Sequence, residues 1–536
     1  MRLHISTFNN KNYGKTCGGE TLFLDKWLHK NDKNPGTKIT ENAEKLIEGG
    51  LSDKLEDNIE LFQKLFANDD TFIVRKFENR NNPDICCCLM SMDGMINVSI
   101  INENIIRPVT AYEDKKEGDL FKTLSEQVVQ SNDVTASEDI NKMLEAILYG
   151  DTLLFVDGYK RAMIINTKGW PSRSIAEPDL EKVFLGPKEG FTEAIMQNVA
   201  MVRRKIQIND LKFKFRTVGA RTRTKVCICY IKGIAQESIL TELEKRLDTI
   251  DIDGILDSEY IREFITDAPL SIFNTIYRTE RPDTVAGKLL EGRYAVIVDG
   301  TPVVLTLPCL FIENIQTNED YYLQFQASSF NRILRIIALF ITTCLPAIYL
   351  SLITFHQELI PTTLLTSIYS ARQGVPFPSV IELLGLIIIF DVIREAGTRM
   401  PSTIGQAFSI VGALVLGQAA VDAKFISAPI VIIVAFAGIT SLMLPKMINT
   451  IIIIRLLLII ISALMGLYGF LFLFTGILVH AFSLHSFGVP FMSYIRTFDR
   501  GDLKDTMIRM PWWLMNYRPR LIANDRKRQK KEDKRT

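Results

Sequence analysis

The sequence predicts an α/β region of two subdomains followed by an α-helical polytopic membrane domain, on three observations. Residues 39–318 alternate short β-type runs with amphipathic helical runs, residues 333–479 hold long apolar stretches, and residues 516–536 carry nine Lys or Arg against three acids. Alternating helix and strand periods mark an α/β unit, and a bilayer core of about 30 Å takes roughly 20 apolar residues to cross as a helix. The chain has 536 residues, 47% of them hydrophobic, and its 62 Lys and Arg nearly balance 61 Asp and Glu. That balance excludes a surface that binds polyanions over its whole extent, so no nucleic acid is expected among the partners.

Residues 1–38, rich in Asn, Lys, Gly and Thr, bury too little apolar surface to order themselves and are read as a polar tail. They hold no apolar h-region, so the first hydrophobic span is expected to act as its own insertion signal and leave the soluble part in the cytoplasm. The first subdomain, residues 39–166, opens with helical periodicity over 41–65, interrupted by Gly49 and Gly50. Strands are expected at 71–77 and 85–92, helices at 120–128 and 140–147, and a hairpin of 152–156 with 161–165 around a type I′ turn at Asp157-Gly158. The second subdomain, residues 167–318, is expected to hold helices at 190–208 and 238–247 and strands at 212–216 and 226–231. It closes on 294–298, Asp299-Gly300 and 302–307, repeating the strand, Asp-Gly, strand pattern. One shared turn type is slender evidence for duplication, because Asp-Gly hairpins are common.

A membrane domain follows at residues 319–495. Segments 333–355, 404–421, 425–444 and 451–479 are long enough to span. Segment 380–393 would reach only about 21 Å, and it contains Glu382 and Asp391, so it is read as a short interfacial or re-entrant element. Four spans place both termini on one side, and the basic tail, 496–536, puts that side in the cytoplasm. Arg332 and Arg335 at the start of the first span agree with this, and Arg455 is expected to snorkel from a tilted last span. Asp391, Arg394, Glu395 and Arg399, with Glu382 upstream, stand at helical neighbour spacing: either a solvated helix end or a membrane-embedded charge network. Gly405, Ser409, Ala413 and Gly417 recur every fourth residue, with Gln406, Ile410, Val411 and Gln418 on adjacent faces. This stripe suits ordinary close packing, or a helix that packs around a central axis and lines a narrow pore.

No catalytic constellation stands out. Gly14-Lys15-Thr16 lacks the first glycine of a phosphate loop, the five histidines are scattered, and the eight cysteines form no CxxC pair. Cys86 to Cys88, Cys227 and Cys229 read as buried strand residues of a reducing compartment. No enzyme, cofactor or metal is therefore expected. The basic residues Arg203, Arg204, Lys205, Arg216, Arg221, Arg223 and Lys225 are read as salt-bridge or solvated positions.

The run Trp170-Pro171-Ser172-Arg173-Ser174-Ile175-Ala176-Glu177-Pro178, then Gly186-Pro187-Lys188-Glu189-Gly190-Phe191-Thr192-Glu193 and residues 198–204 with Arg203 and Arg204, closely resembles the core of the GerA-family spore germination receptor A subunits. Residues 219–223, 230–235, 251–253 and Arg394-Glu395-Ala396-Gly397 with Pro401 extend the resemblance, which covers roughly residues 39–520. Lys188 stands where the family motif usually has arginine, keeping the charge but losing a bidentate fork. The resemblance implies a germinant-receptor subunit in the inner membrane of a dormant endospore, working with a transporter-like B subunit and a lipoprotein C subunit. It also implies that A subunits assemble with one another in the lipid membrane as a ligand-gated cation channel. The residues alone leave open a secondary transporter, whose broken segment at Pro376, Pro378 and 380–393 would hold substrate, or an A-like spore-membrane paralogue.

Overall fold

The computed structural model describes residues 50–113, 119–169, 181, 183–399, 415–494, 504–525, 527 and 528. The soluble part is two five-stranded antiparallel sheets. The first contains β1 (Phe72–Glu78), β2 (Cys86–Met92), β3 (Val134–Ser137), β4 (Thr152–Val156) and β5 (Ala162–Ile165), in the order β1-β2-β4-β5-β3. The second contains β6 (Leu211–Val218), β7 (Thr224–Ile231), β8 (Tyr277–Thr279), β9 (Tyr294–Val298) and β10 (Val304–Leu307), in the order β6-β7-β9-β10-β8. Each sheet is covered on both faces, which is why its central strands are apolar throughout rather than alternating. On the first, α1 (Leu55–Leu65) and α2 (Ile140–Leu148) cover one face and helical segments between residues 98 and 128 the other. On the second, α3 (Ile195–Lys205) and α6 (Pro282–Leu290) lie opposite α4 (Glu237–Asp248) and α5 (Ser258–Ile265).

The two units are copies of one fold, because strand order, helix placement and a buried clip all repeat. Asn58 receives the Ser52 amide at 2.9 Å and donates to the Ser52 carbonyl, while Asp157 accepts from the Leu55 amide at 2.9 Å. In the second unit Asn198 does the same to Thr192 (2.8 Å) and Asp299 to Ile195 (3.2 Å). The Asp-Gly pairs are therefore not two-residue type I′ turns. Five residues separate β4 from β5, and each aspartate leaves the hairpin to satisfy an orphan donor at a helix N-terminus.

Outside the sheets lie α7 (Phe325–Thr354), α8 (Thr362–Arg372), α9 (Ser379–Thr398), a helical turn over 415–422, α10 (Ala428–Ser441) and α11 (Ile448–Ser483). Two of these runs, Phe325–Thr354 and Pro445–Ser483, are long and apolar enough to cross a membrane. Large apolar side chains stay exposed along them, among them Ile337, Phe340, Leu464, Tyr468 and Phe472, as suits a helix facing lipid. Segment 380–393, expected as a short element, belongs to the 20-residue α9, which reaches about 30 Å. Its acids do not end the helix because partners neutralise them, as described below.

Segment 451–479, expected as one tilted span, is broken. Gly466 has φ 61°, ψ −148°, a region open essentially to glycine. The Thr450 hydroxyl donates to the Ile272 carbonyl at 2.7 Å, and His480 lies 3.0 Å from Ser271. A straight helix would hold residues 450 and 480 about 45 Å apart, so the chain reverses at Gly466 and returns. A Cβ on Gly466 would sit 2.9 Å from Phe355, which follows α7. Gly466→Ala is expected to lower the thermal midpoint of the full chain in detergent, from backbone strain of about 1–3 kcal/mol plus that clash. Gly476→Ala, where a Cβ would meet nothing within 4 Å, is expected to be neutral or stabilising by up to about 1 kcal/mol. Equal behaviour of the two would refute the hairpin.

Candidate functional site

Arg332 and Arg335, noted in the sequence as positive charges at the start of the first span, lie three residues apart on one face of α7, one helical neighbour spacing, and both are buried. Arg335 grips Asp320 with two nitrogens at 2.7 and 2.9 Å and also donates to Thr317 and to the Ile315 carbonyl. Arg332 bonds Asp320 at 3.0 Å and Asp505 at 2.8 Å, and the Tyr321 hydroxyl donates to Asp505 at 2.8 Å. Asp320 comes from the linker after β10, and Asp505 from the chain returning beyond α11. One desolvated cluster thus fastens the soluble unit, the first long helix and the C-terminal segment together. Burial opposes the charge of Asp320, but Arg335, Arg332 and the Thr317 amide outweigh it and hold the carboxyl below the ordinary aspartate range. At Asp505 burial wins over Arg332, and the carboxyl is pushed up.

Neighbouring pairs extend the joint. Arg293 and Lys288 both engage Glu313, and Lys446, just before α11, engages Glu181 at 2.9 Å and Tyr277. The described residues of the segment expected as a basic C-terminal tail fold back onto the second unit. The Asn524 amide donates to the Ile234 carbonyl at 2.8 Å, Ala523 bridges Ala235, and Ile522 enters the core of the second unit.

The family-motif residues fall into separate structural roles. Gly186 has φ 114° and lies against Tyr322, and the Pro187 carbonyl accepts from Arg281 at 2.6 Å. Glu189 pairs with Lys205 (3.0 Å) and Arg204 (3.5 Å) beside the buried Gly190. Arg203, fully buried, crosses between the units to Asp69 at 2.6 Å and lies over Phe213. Residues 219–223 bond to 251–253 through the Ala220 and Arg221 amides. Trp170, Arg173, Glu177 and Pro178 lie outside the described residues.

Among the described residues the charges of the helices engage partners on several elements. Asp391 bonds Arg455 at 2.7 Å and Arg394 at 3.2 Å; Arg455 is 2% exposed, so it pairs rather than snorkels. Glu382 stands apart, bonded to Arg372 at 3.3 Å and to the Ser427 amide at 2.9 Å. Glu395 and Arg399 pair at an exposed end. Of the stripe, Gly417 is buried against Val431 and Gln418 is exposed beside Asp422. Gly405, Gln406, Ser409, Ile410, Val411 and Ala413 lie outside the described residues. Sequence reading missed Asp320, Asp505, Glu313 and Glu181; the available signal was the Arg332/Arg335 spacing, which calls for a facing acid. Among the described residues, buried Cys87, Cys88, Cys227 and Cys229 pack the sheets, and burial pushes the Cys87 and Cys88 thiols up to about 12.

A duplicated α/β unit joined by buried ion pairs to long apolar helices defines a membrane protein with a large extramembrane part. The chain belongs to the Bacillus/Clostridium GerA spore germination protein family, which matches residues 60–521. It is 40% identical to spore germination protein KA of Bacillus subtilis over 90% of each chain. It is 38% identical to the uncharacterized membrane protein YfkQ of the same organism, over 94% of this chain and 98% of that one. The crystal structure of the N-terminal domain of the A subunit of the Bacillus megaterium spore germinant receptor GerK3 is 34% identical. It covers 49% of this chain and 97% of its own, with a TM-score of 0.40.

Removing one partner of a buried ion pair costs about 3–5 kcal/mol, and Asp320→Asn is expected to destabilise the full chain by that order at neutral pH. Because the folded carboxyl is held below its unfolded value of about 3.9, its contribution is complete above that pH and is lost as pH falls through the folded value. Thermal unfolding of wild type and variant should differ at pH 7, with the gap starting to close near about pH 3.9 and vanishing only once the pH has fallen through the lower folded value; a gap independent of pH would exclude ionised Asp320 as the source.

Proposed function

We propose that the chain is the A subunit of a nutrient-germinant receptor in the endospore inner membrane, and that it couples germinant sensing to ion release. In this reading several A subunits assemble into a cation channel, working with a transporter-like B subunit and a lipoprotein C subunit. The observation that carries it is the cluster of Arg332 and Arg335 with Asp320 and Asp505: the soluble unit cannot shift without pulling on α7, which is the mechanical link a gated subunit requires. Support for the topology comes from the two ends of the helical region. α7 leaves from the second unit, and Phe487 and Ser486 after α11 bond back to Asp267 and Thr275 of that unit. In this reading the helices between make an even number of passes, with the soluble part and the basic C-terminal residues together on the cytoplasmic or core side.

Similarity to both a named germination protein and an uncharacterized membrane protein makes nutrient-triggered release the discriminating measurement. Spores carrying Arg335→Gln are expected to release cations about tenfold or more slowly on nutrient addition, within the range of ordinary coupling energies, when the rate is normalised to the amount of subunit retained in the membrane. Ile410→Ala or Val411→Ala should leak cations without nutrient, by loosening a hydrophobic gate, whereas Ala413→Leu should disturb assembly by overpacking. Normal dormancy and normal release in all of these would refute the channel reading.

A further inference from the structure

A cleft of about 470 Å³ opens where α6, the linker after β10 and the C-terminal segment meet. Its size is that of a small-molecule site. One wall is aromatic: Tyr321 and Trp512 stand with ring centroids 5.8 Å apart. Cations from two separate stretches of chain, Lys288, Arg518 and Arg528, share the lining with Glu291 and Glu313. The ion pairs around the cleft do not balance. The buried Arg293 behind the lining also draws on both glutamates, and Arg518 takes Asp525 from outside it, so the lining holds three cations and two carboxylates. Thr284, on the wall and 7% exposed, has a hydroxyl without a hydrogen-bond partner, and a buried polar group left unpaired is unfavourable.

We propose that this cleft binds a small organic anion with a flat apolar body, its charged end toward Arg518 and Arg528 and its body against Tyr321 and Trp512. The excess cation selects the charge, because an anion completes the ion-pair set while a cation would add to the imbalance. The aromatic wall selects the body, since rings offer apolar area and stacking in one surface. The proposal concerns binding and stands whether or not the chain conducts ions.

The floor of the cleft supplies its own control. Gly287 lines it, and a Cβ built there meets nothing within 4 Å, so a larger side chain at this position, as in Gly287→Leu, starts into open space and occupies part of the cleft. The test uses the full chain in lipid nanodiscs labelled with 5-fluorotryptophan, with the Trp512 resonance assigned through Trp512→Phe. Trp513, which packs on Phe325 at 6.3 Å, is the internal reference. Titration with benzoate should move the Trp512 signal saturably while Trp513 stays still. Benzyl alcohol should bind more weakly and benzylamine at least about tenfold more weakly than benzoate, about 1.4 kcal/mol. Gly287→Leu and Arg518→Gln should each weaken benzoate by a similar factor, with Trp513 unmoved and the thermal midpoint not lowered in Gly287→Leu. No saturable movement of Trp512, equal response to the three probes, or benzoate binding that survives Gly287→Leu would each overturn the proposal.

Discussion

Two arginines on one turn of a helix, taken out of water, constrain everything around them. A buried guanidinium is tolerated only when carboxylates and carbonyls meet it with good geometry. Arg332 and Arg335 therefore demand that Asp320, Asp505 and the Ile315 and Thr506 carbonyls all be in place. Those partners come from the linker below the second sheet and from the chain beyond the last helix. The base of α7 is thus the point at which soluble unit, helices and C-terminal segment become one body, and the cleft beside it borders each of them except the helices.

The helical region follows the same rule on a smaller scale. The two acids deepest in α9 have basic or backbone partners on another helix or loop: Glu382 meets Arg372 and the Ser427 amide, and Asp391 meets Arg455. Pairing removes the reason to expel the segment from the helical layer, and it ties α9 to α8, α10 and α11. Glycine acts at the opposite pole, where Gly466 lets α11 reverse and bring both arms back to residues 271 and 272.

Duplication of the soluble unit explains why its second copy, and not its first, carries the joint. In both copies an aspartate at the end of a central strand caps a helix and an asparagine six residues on from Ser or Thr ties the loop before it. The first copy meets the second through the buried pair of Asp69 and Arg203. The second has α6 and the linker after β10 free for the helices.

Much of the α/β part was legible because period-2 and period-3.6 patterns are local properties of the chain: β1, β2, β4, β7, β9, α2 and α4 fall within a residue or two of their sequence readings. The apolar runs 333–355 and 451–479 were legible as helix for the same reason, whereas 425–444, expected as a span, forms only the 14-residue α10, and most of 404–421 lies outside the described residues. Elements of three or four residues, such as β3 and β8, carry too little pattern to be seen alone, and the Asp-Gly pairs misled because an aspartate that caps a distant helix has the same sequence as one in a tight turn. Charge was where sequence reading failed most. Arg332, Arg335, Arg455 and Asp391 were visible as ionisable residues near or inside apolar runs, but a charge in isolation looks costly, exposed or snorkelling. Composition and local periodicity determined which segments are strands and which are apolar helices. Only the tertiary structure decided which charges are buried, where the last helix reverses and where the C-terminal segment goes, because the free energy of a desolvated ion depends on partners supplied by chain hundreds of residues away.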